Sequence, residues 1–499
     1  MAGLGTAGAI SQRVAVGDWW SWSAQVERAG FCWRPVRLRG RAAAVDVATG
    51  EAVAEYSTEG GPDGSVLVAC KDRRASVCGP CAEVYRRDVW HLVASGLHGR
   101  DATDGAGGEV PGSVAGHPVV FATLTAPSFG ALHTARDGGV CRERPGRCRH
   151  GLPLGCARRH TDGDAWAGLA LCWDCYDYDG HVLWHAAAPA LWARTTVYLY
   201  RALARLAGAR LGRPVSVRAV RGLLRVSYVK VAEWQRRAAV HFHAVLRLDG
   251  VDAGDPGRLV APPAWADAGL LGAALREAAG RVAVPLPSVG GGVRVARWGS
   301  QVDVSPVVDV ARTAAYVAKY ATKTAGDTVA GLPVRAFGTA DLAHVRGKVG
   351  STHVMLLVLA CLRLAKRGDC ARWRLGEHVH TLGFSGHFCS KSRHYSVTLS
   401  SLRQARRDWQ ADQAARAEAG RADPWAVAHR RASGARVEIA GDWRFVGMGY
   451  ARLHDADIAA SLAQDHAMWR ELRRERDAEE WEFRRLIAEH DAVRVGQGP

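Results

Sequence analysis

The sequence is short of lysine. Only seven of its 66 cations are Lys (Lys71, Lys230, Lys319, Lys323, Lys348, Lys366 and Lys391), and the rest are Arg. In so Arg- and Ala-rich a chain, arginine abundance says little about function, and each Lys is the more pointed choice. Long apolar runs are lacking as well. The longest clean one, Val354 to Leu362, is far too short to span a bilayer, so no membrane partner is expected. The opening residues, MAGLGTAGAISQR, hold no basic segment followed by an apolar stretch, which argues against a secretory signal. No internal repeat is visible. No Gly-rich loop ends in Lys-Ser or Lys-Thr, so a built-in ATPase is not expected. What remains is a globular chain of 499 residues, 48% hydrophobic and 23% charged, expected in the cytoplasm. Its 49 acids leave a net charge of +17, which favours a polyanionic partner, with nucleic acid ahead of an anionic surface.

Twelve Cys are present, and two Cys-x-x-Cys pairs stand out: Cys78-Gly-Pro-Cys81 and Cys172-Trp-Asp-Cys175. In a cytoplasmic chain of this size such pairs read as metal knuckles before disulfides. A two-residue gap lets both thiolates of one turn reach one Zn²⁺ at about 2.3 Å. The second pair follows Cys141, Cys148, His150, Cys156 and His160 in a stretch rich in Gly, Pro and Arg. Such a stretch cannot build its own apolar core, so structural zinc would be its main source of order. The expected ligands are Cys148, Cys156, Cys172 and Cys175, with His150 and His160 as substitutes. Cys78 and Cys81 are expected to share a second zinc with Cys70, and with Cys32 as a further partner. The competing reading of both groups is buried free thiols or a redox pair, though no strand–helix context supports the redox option. Cys361, Cys370 and Cys389 are scattered and read as packing residues.

Along the chain, PVRLRG and SVLVAC read as strand pieces, and residues 78–97 as a knuckle opening an amphipathic helix. HPVVFATLT (117–125) reads as a buried strand broken by Ala126-Pro127. A helix is expected over 189–207, a strand over 223–235, and another over 239–248, closed by a turn at Asp249-Gly250. The Gly/Ala/Pro-rich stretch 250–293 has a helix in its middle, and VRVARWGSQVDVSP reads as a strand pair. Helices are expected over 309–325, within 340–368, and in the charge-dense segments 401–420 and 456–492. Those last two read as solvated surface.

Two motifs carry chemistry. In His241-Phe242-His243, a strand period of two sends both imidazoles from one face and Phe242 from the other, so the pair can share one divalent ion. In Tyr316-Val317-Ala318-Lys319-Tyr320-Ala321-Thr322-Lys323, the two phenols lie one helical turn apart on one face. Lys319 and Lys323 follow each Tyr by three residues, near enough to offset the charge of a phosphate that either hydroxyl attacks. An amphipathic helix with aromatic core contacts is the plainer reading of the second motif alone. His378-Val379-His380 repeats the first spelling but has no strongly apolar strand after it.

Taken together, the His-hydrophobic-His strand and the later Tyr-x-x-Lys helix resemble the HUH endonucleases of rolling-circle replication. The two-tyrosine form is similar to the branch that includes phage nickases. Phe121-Ala-Thr-Leu-Thr125 matches the superfamily's first motif. Over residues 30 to 450 the chain resembles the replication initiators of actinomycete plasmids and integrative elements, in CGPCAEVYRRD, HPVVFATLTAPSFG, LCWDCYDY, VAEWQRRAAVHFH, YVAKYATK and GHFCSKSRHYS.

The resemblance implies an α+β fold: an HUH-type antiparallel sheet with flanking helices, zinc-binding insertions and a helical C-terminal region. It implies an N-terminal region with a zinc module (1–115), a nickase domain (116–330) with a zinc-binding insertion (138–180), and a mostly helical basic C-terminal region (331–499). It also implies Mg²⁺ or Mn²⁺ on His241 and His243, with Glu233 as the nearest fitting carboxylate. Tyr316 would attack a phosphate of origin DNA, leaving a 5′-phosphotyrosine and a 3′-OH primer, and Tyr320 would serve a second transfer. Lys319 and Lys323 would offset developing charge. Lys391 and Arg393, in the block 383–399, would contact DNA, the plainer alternative being a basic surface loop. Single- and double-stranded origin DNA, host polymerase and helicase are the expected partners. A relaxase or transposase use of the same chemistry, or a non-catalytic zinc DNA-binding protein, is the alternative function.

Overall fold

The computed structural model describes residues 6–47, 49–99, 110–136, 139–161, 163–289, 292–322, 332, 336–419 and 437–495. The chain divides into two compact units. One unit joins residues 1–72 and 77–83 to 413–499, and the other holds 73–76 and 84–412.

In the first unit, helices α1 (Thr6–Val16) and α2 (Trp19–Arg28) precede strands β1 (Val36–Asp46), β2 (Ala52–Ser57) and β3 (Val66–Val68). β1 pairs antiparallel with β2 and β3, and along its whole length with β12 (Val437–Met448). At Gly40 (φ +155°) a Cβ would stand 1.9 Å from the Asp442 carbonyl oxygen, so this close pairing admits no side chain there. Trp22, Val26, Leu67, Ile458 and Ala459 pack around Cys32, Cys78 and Cys81. The buried Arg13 guanidinium meets Asp18, Asp63 and Asp455 at 2.7, 2.7 and 2.6 Å, which ties α1 to the first residue of the C-terminal helix (Asp455–Val495). A fully desolvated cation needs such partners.

The second unit is built on a six-stranded antiparallel sheet. Its strands are β4 (Val119–Leu124), β5 (Leu224–Trp234), β6 (Val240–Val251), β7 (Leu259–Val260), β10 (Val302–Pro306) and β11 (Cys389–Lys391), in the order β10-β4-β6-β5-β11 with β7 on the end of β6. A separate hairpin joins β8 (Val284–Leu286) and β9 (Arg294–Ala296). The expected strand pair at 293–306 therefore does not form: β9 pairs with β8, and β10 with β4.

Helix α3 spans Gly79–His98, and its residues from Val84 on lie in this unit. The others are α4 (Tyr178–Leu211), α5 (Val217–Leu223), α6 (Ala268–Arg281), α7 (Val310–Thr322), α8 (Leu342–Arg346), α9 (Thr352–Ala365) and α10 (Leu399–Ala419), the last lying in this unit as far as Asp412, and the C-terminal helix of the first unit is α11. Period two divides the sheet into two apolar faces. Leu124, Ala232, Phe242 and Leu246 join a core with Leu183, Trp192 and Leu203 of α4 and Leu271 and Leu275 of α6. Val229, Val231 and Val245 point the other way, onto Val89 and Val93 of α3 and Ala314, Val317, Ala318 and Ala321 of α7.

Two expectations need correction. α4 begins at Tyr178, capped by the Asp177 carboxylate on the Gly180 N–H, and Pro189 lies inside it. Residues 181–188 are all buried, so tertiary packing outweighs the lost proline donor. Asp249-Gly250 is not a turn, because β6 runs on to Val251. The Asp249 carboxylate is buried among Arg247 (2.6 Å), His117 (2.7 Å) and the Ser227 hydroxyl (2.6 Å), which removes its preference for an open turn.

Candidate functional site

Strand register builds the site. Glu233 of β5 lies opposite His241 of β6, and His243 lies opposite Val231 on one side and Thr123 of β4 on the other. All four polar side chains therefore leave one face. One carboxylate oxygen, Glu233 Oε2, is 2.7 Å from His241 Nε2 and 3.0 Å from His243 Nε2. These three residues form a group that could hold a metal ion. The Thr123 hydroxyl is 3.0 Å from His243 Nδ1. A proton on Nδ1, donated to that hydroxyl, leaves Nε2 as a lone-pair donor.

Helix α7 covers this face. The Asp309 carboxylate starts it by accepting from the Arg312 N–H at 2.9 Å. Ala314, Val317, Ala318 and Ala321 sit on the sheet, and their spacing turns Tyr316 and Tyr320 to the His pair. The Tyr320 ring stacks on His243 at 4.5 Å, the Tyr316 ring meets the Tyr320 ring edge-on at 4.6 Å, and Phe121 closes the group 5.4 Å from Tyr316. Tyr316 is 43% exposed. Burial, a hydrogen bond with Tyr316 and the charge of Glu233 hold the Tyr320 phenol well above its ordinary range. Lys319 is exposed on the same helix, whereas Lys323 lies outside the described residues. Lys391 pairs with Val229, four residues along β5 from Glu233, and Arg393 is exposed just beyond it. His378 and His380 lie in a short helical turn and join no metal-type group among the described residues.

Nine of the twelve cysteines, with three histidines, gather into three groups of four donors, each of which could hold a metal such as zinc. Cys32, Cys70, Cys78 and Cys81 come together, with Cys32–Cys78 at 3.7 Å and Cys70–Cys81 at 3.6 Å. The neighbouring Cys32 and Cys81 thiols hold the Cys78 thiol well below its ordinary range. The expected foursome of Cys148, Cys156, Cys172 and Cys175 does not assemble. Cys148, Cys172 and Cys175 gather with His150, whose Nδ1 is 3.5 Å from Cys172 and 3.3 Å from Cys175. Cys156 is drawn off by its bridge to Arg142, and groups with His133, Cys141 and His160. His133 is not among the expected ligands. The Cys156-x-x-x-His160 spacing is the signal that points to this group. Thr123 is a further residue that sequence reasoning missed, although it lies within the quoted Thr-Leu-Thr stretch.

Fold and site together define the class: an α+β protein whose antiparallel sheet carries a Glu–His–His group under a two-tyrosine helix, with Cys/His groups suited to zinc. The chain belongs to the RepSA family of replication initiators, whose model, described as "Replication initiator protein, pSAM2", matches residues 18–464. A replication initiator protein of Streptomyces ambofaciens is 38% identical over 481 residues, which cover 94% of this chain and 95% of the relative. No solved structure matches the chain. Among the described residues, no helix is long and apolar enough to cross a membrane.

Proposed function

We propose that this replication initiator nicks origin DNA by tyrosine attack, as the initiating step of rolling-circle replication. The observation that carries the reading is the convergence of Glu233, His241 and His243 with Tyr316 and Tyr320 over one patch of sheet. The spacings of 2.7 and 3.0 Å between donors suit adjacent ligands of Mg²⁺, which an octahedron with bonds of about 2.1 Å sets roughly 3.0 Å apart. Mg²⁺ or Mn²⁺ held by Glu233, His241 and His243 would supply Lewis acidity to the scissile phosphate.

The chain's own groups do the rest. Tyr316, the more exposed phenol, gives up its proton and its oxygen attacks phosphorus in line. The bond from phosphorus to the 3′ oxygen breaks, and that oxygen takes a proton. The products are a 5′-phosphotyrosine and a 3′-OH that a host polymerase can extend on template opened by a helicase. Lys319 offsets charge developing on the phosphate. Tyr320, the less exposed phenol, serves the later transfer, with Lys323 in the matching role. Lys391 and Arg393 offer phosphate contacts beside the sheet. Zinc in the Cys32 group would cross-link the segments that carry its four cysteines, and zinc in the Cys148 group would hold in shape a stretch with no apolar core of its own.

The test is incubation with single-stranded origin DNA and Mn²⁺, followed by a denaturing gel. A covalent adduct is expected from the native protein, and none from Tyr316→Phe or His241→Ala. Adducts from both variants would overturn the assignment.

A further inference from the structure

The described residues between 131 and 177 have little regular structure. Beyond turns, isolated bridges join Leu132 to Ala170, Arg142 to Cys156 and Arg147 to Pro153. Among the described residues, none of this stretch belongs to any hydrophobic cluster. Yet Cys141 and His160 are buried, at 0% and 4% exposed. Something other than apolar packing must order them.

The geometry of four donors supplies the answer. His133 Nδ1 is 3.2 Å from His160 Nε2 and 3.8 Å from Cys141 Sγ, and Cys156 Sγ is 3.5 Å from His160 Nε2. All four donors lie within 4.8 Å of one another. Tetrahedral zinc, with bonds of about 2.05 Å to nitrogen and about 2.3 Å to sulfur, sets N–N edges near 3.3 Å and N–S edges near 3.6 Å. The observed separations follow that pattern. Ordinary hydrogen bonding explains one or two such contacts, but not four donors in mutual reach.

The surroundings agree with a liganded state. The Thr134 N–H donates to Cys141 Sγ at 3.2 Å, as suits a thiolate. The Asp164 carboxylate accepts from His160 Nδ1 at 2.6 Å and from the Trp166 N–H at 2.9 Å. With its proton fixed on Nδ1, His160 turns a bare Nε2 to the other donors, an arrangement common around zinc-bound histidines.

We propose that this insertion holds two zinc ions, the additional one at a Cys₂His₂ site made by His133, Cys141, Cys156 and His160. The two ligand sets interleave along the chain. His133 and Cys141 share an ion with Cys156 and His160, while Cys148 and His150, lying between those pairs, share theirs with Cys172 and Cys175. Neither site is a continuous segment, and each encloses part of the other. The inference stands apart from the nicking reaction, since none of these donors belongs to the Glu233 group.

The test is zinc content and zinc-edge X-ray absorption of the full-length protein. Both are measured on His241→Ala, so that no zinc at the Glu233 group is counted. Three equivalents are expected, with an average shell of nine sulfurs to three nitrogens. Two equivalents with seven sulfurs to one nitrogen, the Cys32 and Cys148 groups alone, would overturn the proposal. The further variant His133→Ala/Cys156→Ser is expected to lose at least one equivalent, and unchanged zinc content would also overturn it. Should that variant fail to fold, the absorption ratio of the parent decides.

Discussion

Glu233 stands directly across the β5–β6 ladder from His241, and one of its oxygens reaches both imidazoles of the His pair. Registration of two neighbouring strands, not a flexible loop, sets this geometry. A site on strands keeps its donors in place before any ligand arrives.

Thr123 fixes the His243 ring from the third strand. Thr123→Val is expected to weaken Mn²⁺ binding about 10–100-fold, the usual cost of removing a partner behind a ligand. Thr123→Ser should restore it. Titration of Mn²⁺ by electron paramagnetic resonance checks both, and equal affinities in all three proteins would refute a positioning role.

The two tyrosines should separate by step. Tyr316→Phe is expected to reduce the first covalent adduct by on the order of 10³-fold or more. Tyr320→Phe should leave the first adduct within about threefold and abolish release of a rejoined single-stranded product. A gel assay with labelled origin strand reads both outcomes. Loss of the first adduct in Tyr320→Phe would reverse the order.

His185 predicts an acid-sensitive core. Its Nδ1 donates to the Leu382 carbonyl at 2.9 Å and its Nε2 accepts from the Val240 N–H at 3.2 Å, so the neutral ring satisfies both neighbours. Burial, with the charge of Arg237 adding to it, pushes His185 down to about 3. Between that value and an unfolded value near 6.5, the unfolded chain binds a proton that the folded one refuses. Stability therefore falls as pH falls through this window, by about 1.4 kcal/mol per unit for this group. His185→Gln keeps a donor and an acceptor but does not titrate. Urea midpoints between pH 7.5 and 5.5 should shift less in the variant than in the native protein.

Much of this is legible in the sequence because short-range patterns decide it. Short runs of β-branched and apolar residues announce β4, β5 and β6, whose two faces both meet a core, and helical spacing announces α7, which has one packed face and one open one. Neighbouring strands in an antiparallel sheet then bring Glu233 to the His pair. The failures share a cause. The β12 partner of β1, the buried Asp249 and the continuation of α4 through Pro189 all depend on contacts remote in sequence. The interleaved ligand sets are hidden for the same reason: a Cys-x-x-Cys motif advertises two ligands, while bridges elsewhere in the segment choose the other two.

DNA affinity should depend steeply on salt. Lys391→Ala and Arg393→Ala are each expected to lower the slope of log affinity against log salt by about 1 for every phosphate left without its cation. Fluorescence anisotropy across a salt series measures it. Unchanged slopes would assign both cations to the plain surface.

The pairing of β1 with β12 has a consequence for biosynthesis. Asp46 is joined to Val437, so about 390 residues must leave the ribosome before this ladder can begin to close. At about 5–20 residues per second, that interval is roughly 20–80 s. During it β1 has one bare edge, an invitation to chaperones or to a strand of another nascent copy. A strand made long before its partner is thus among the last to mature.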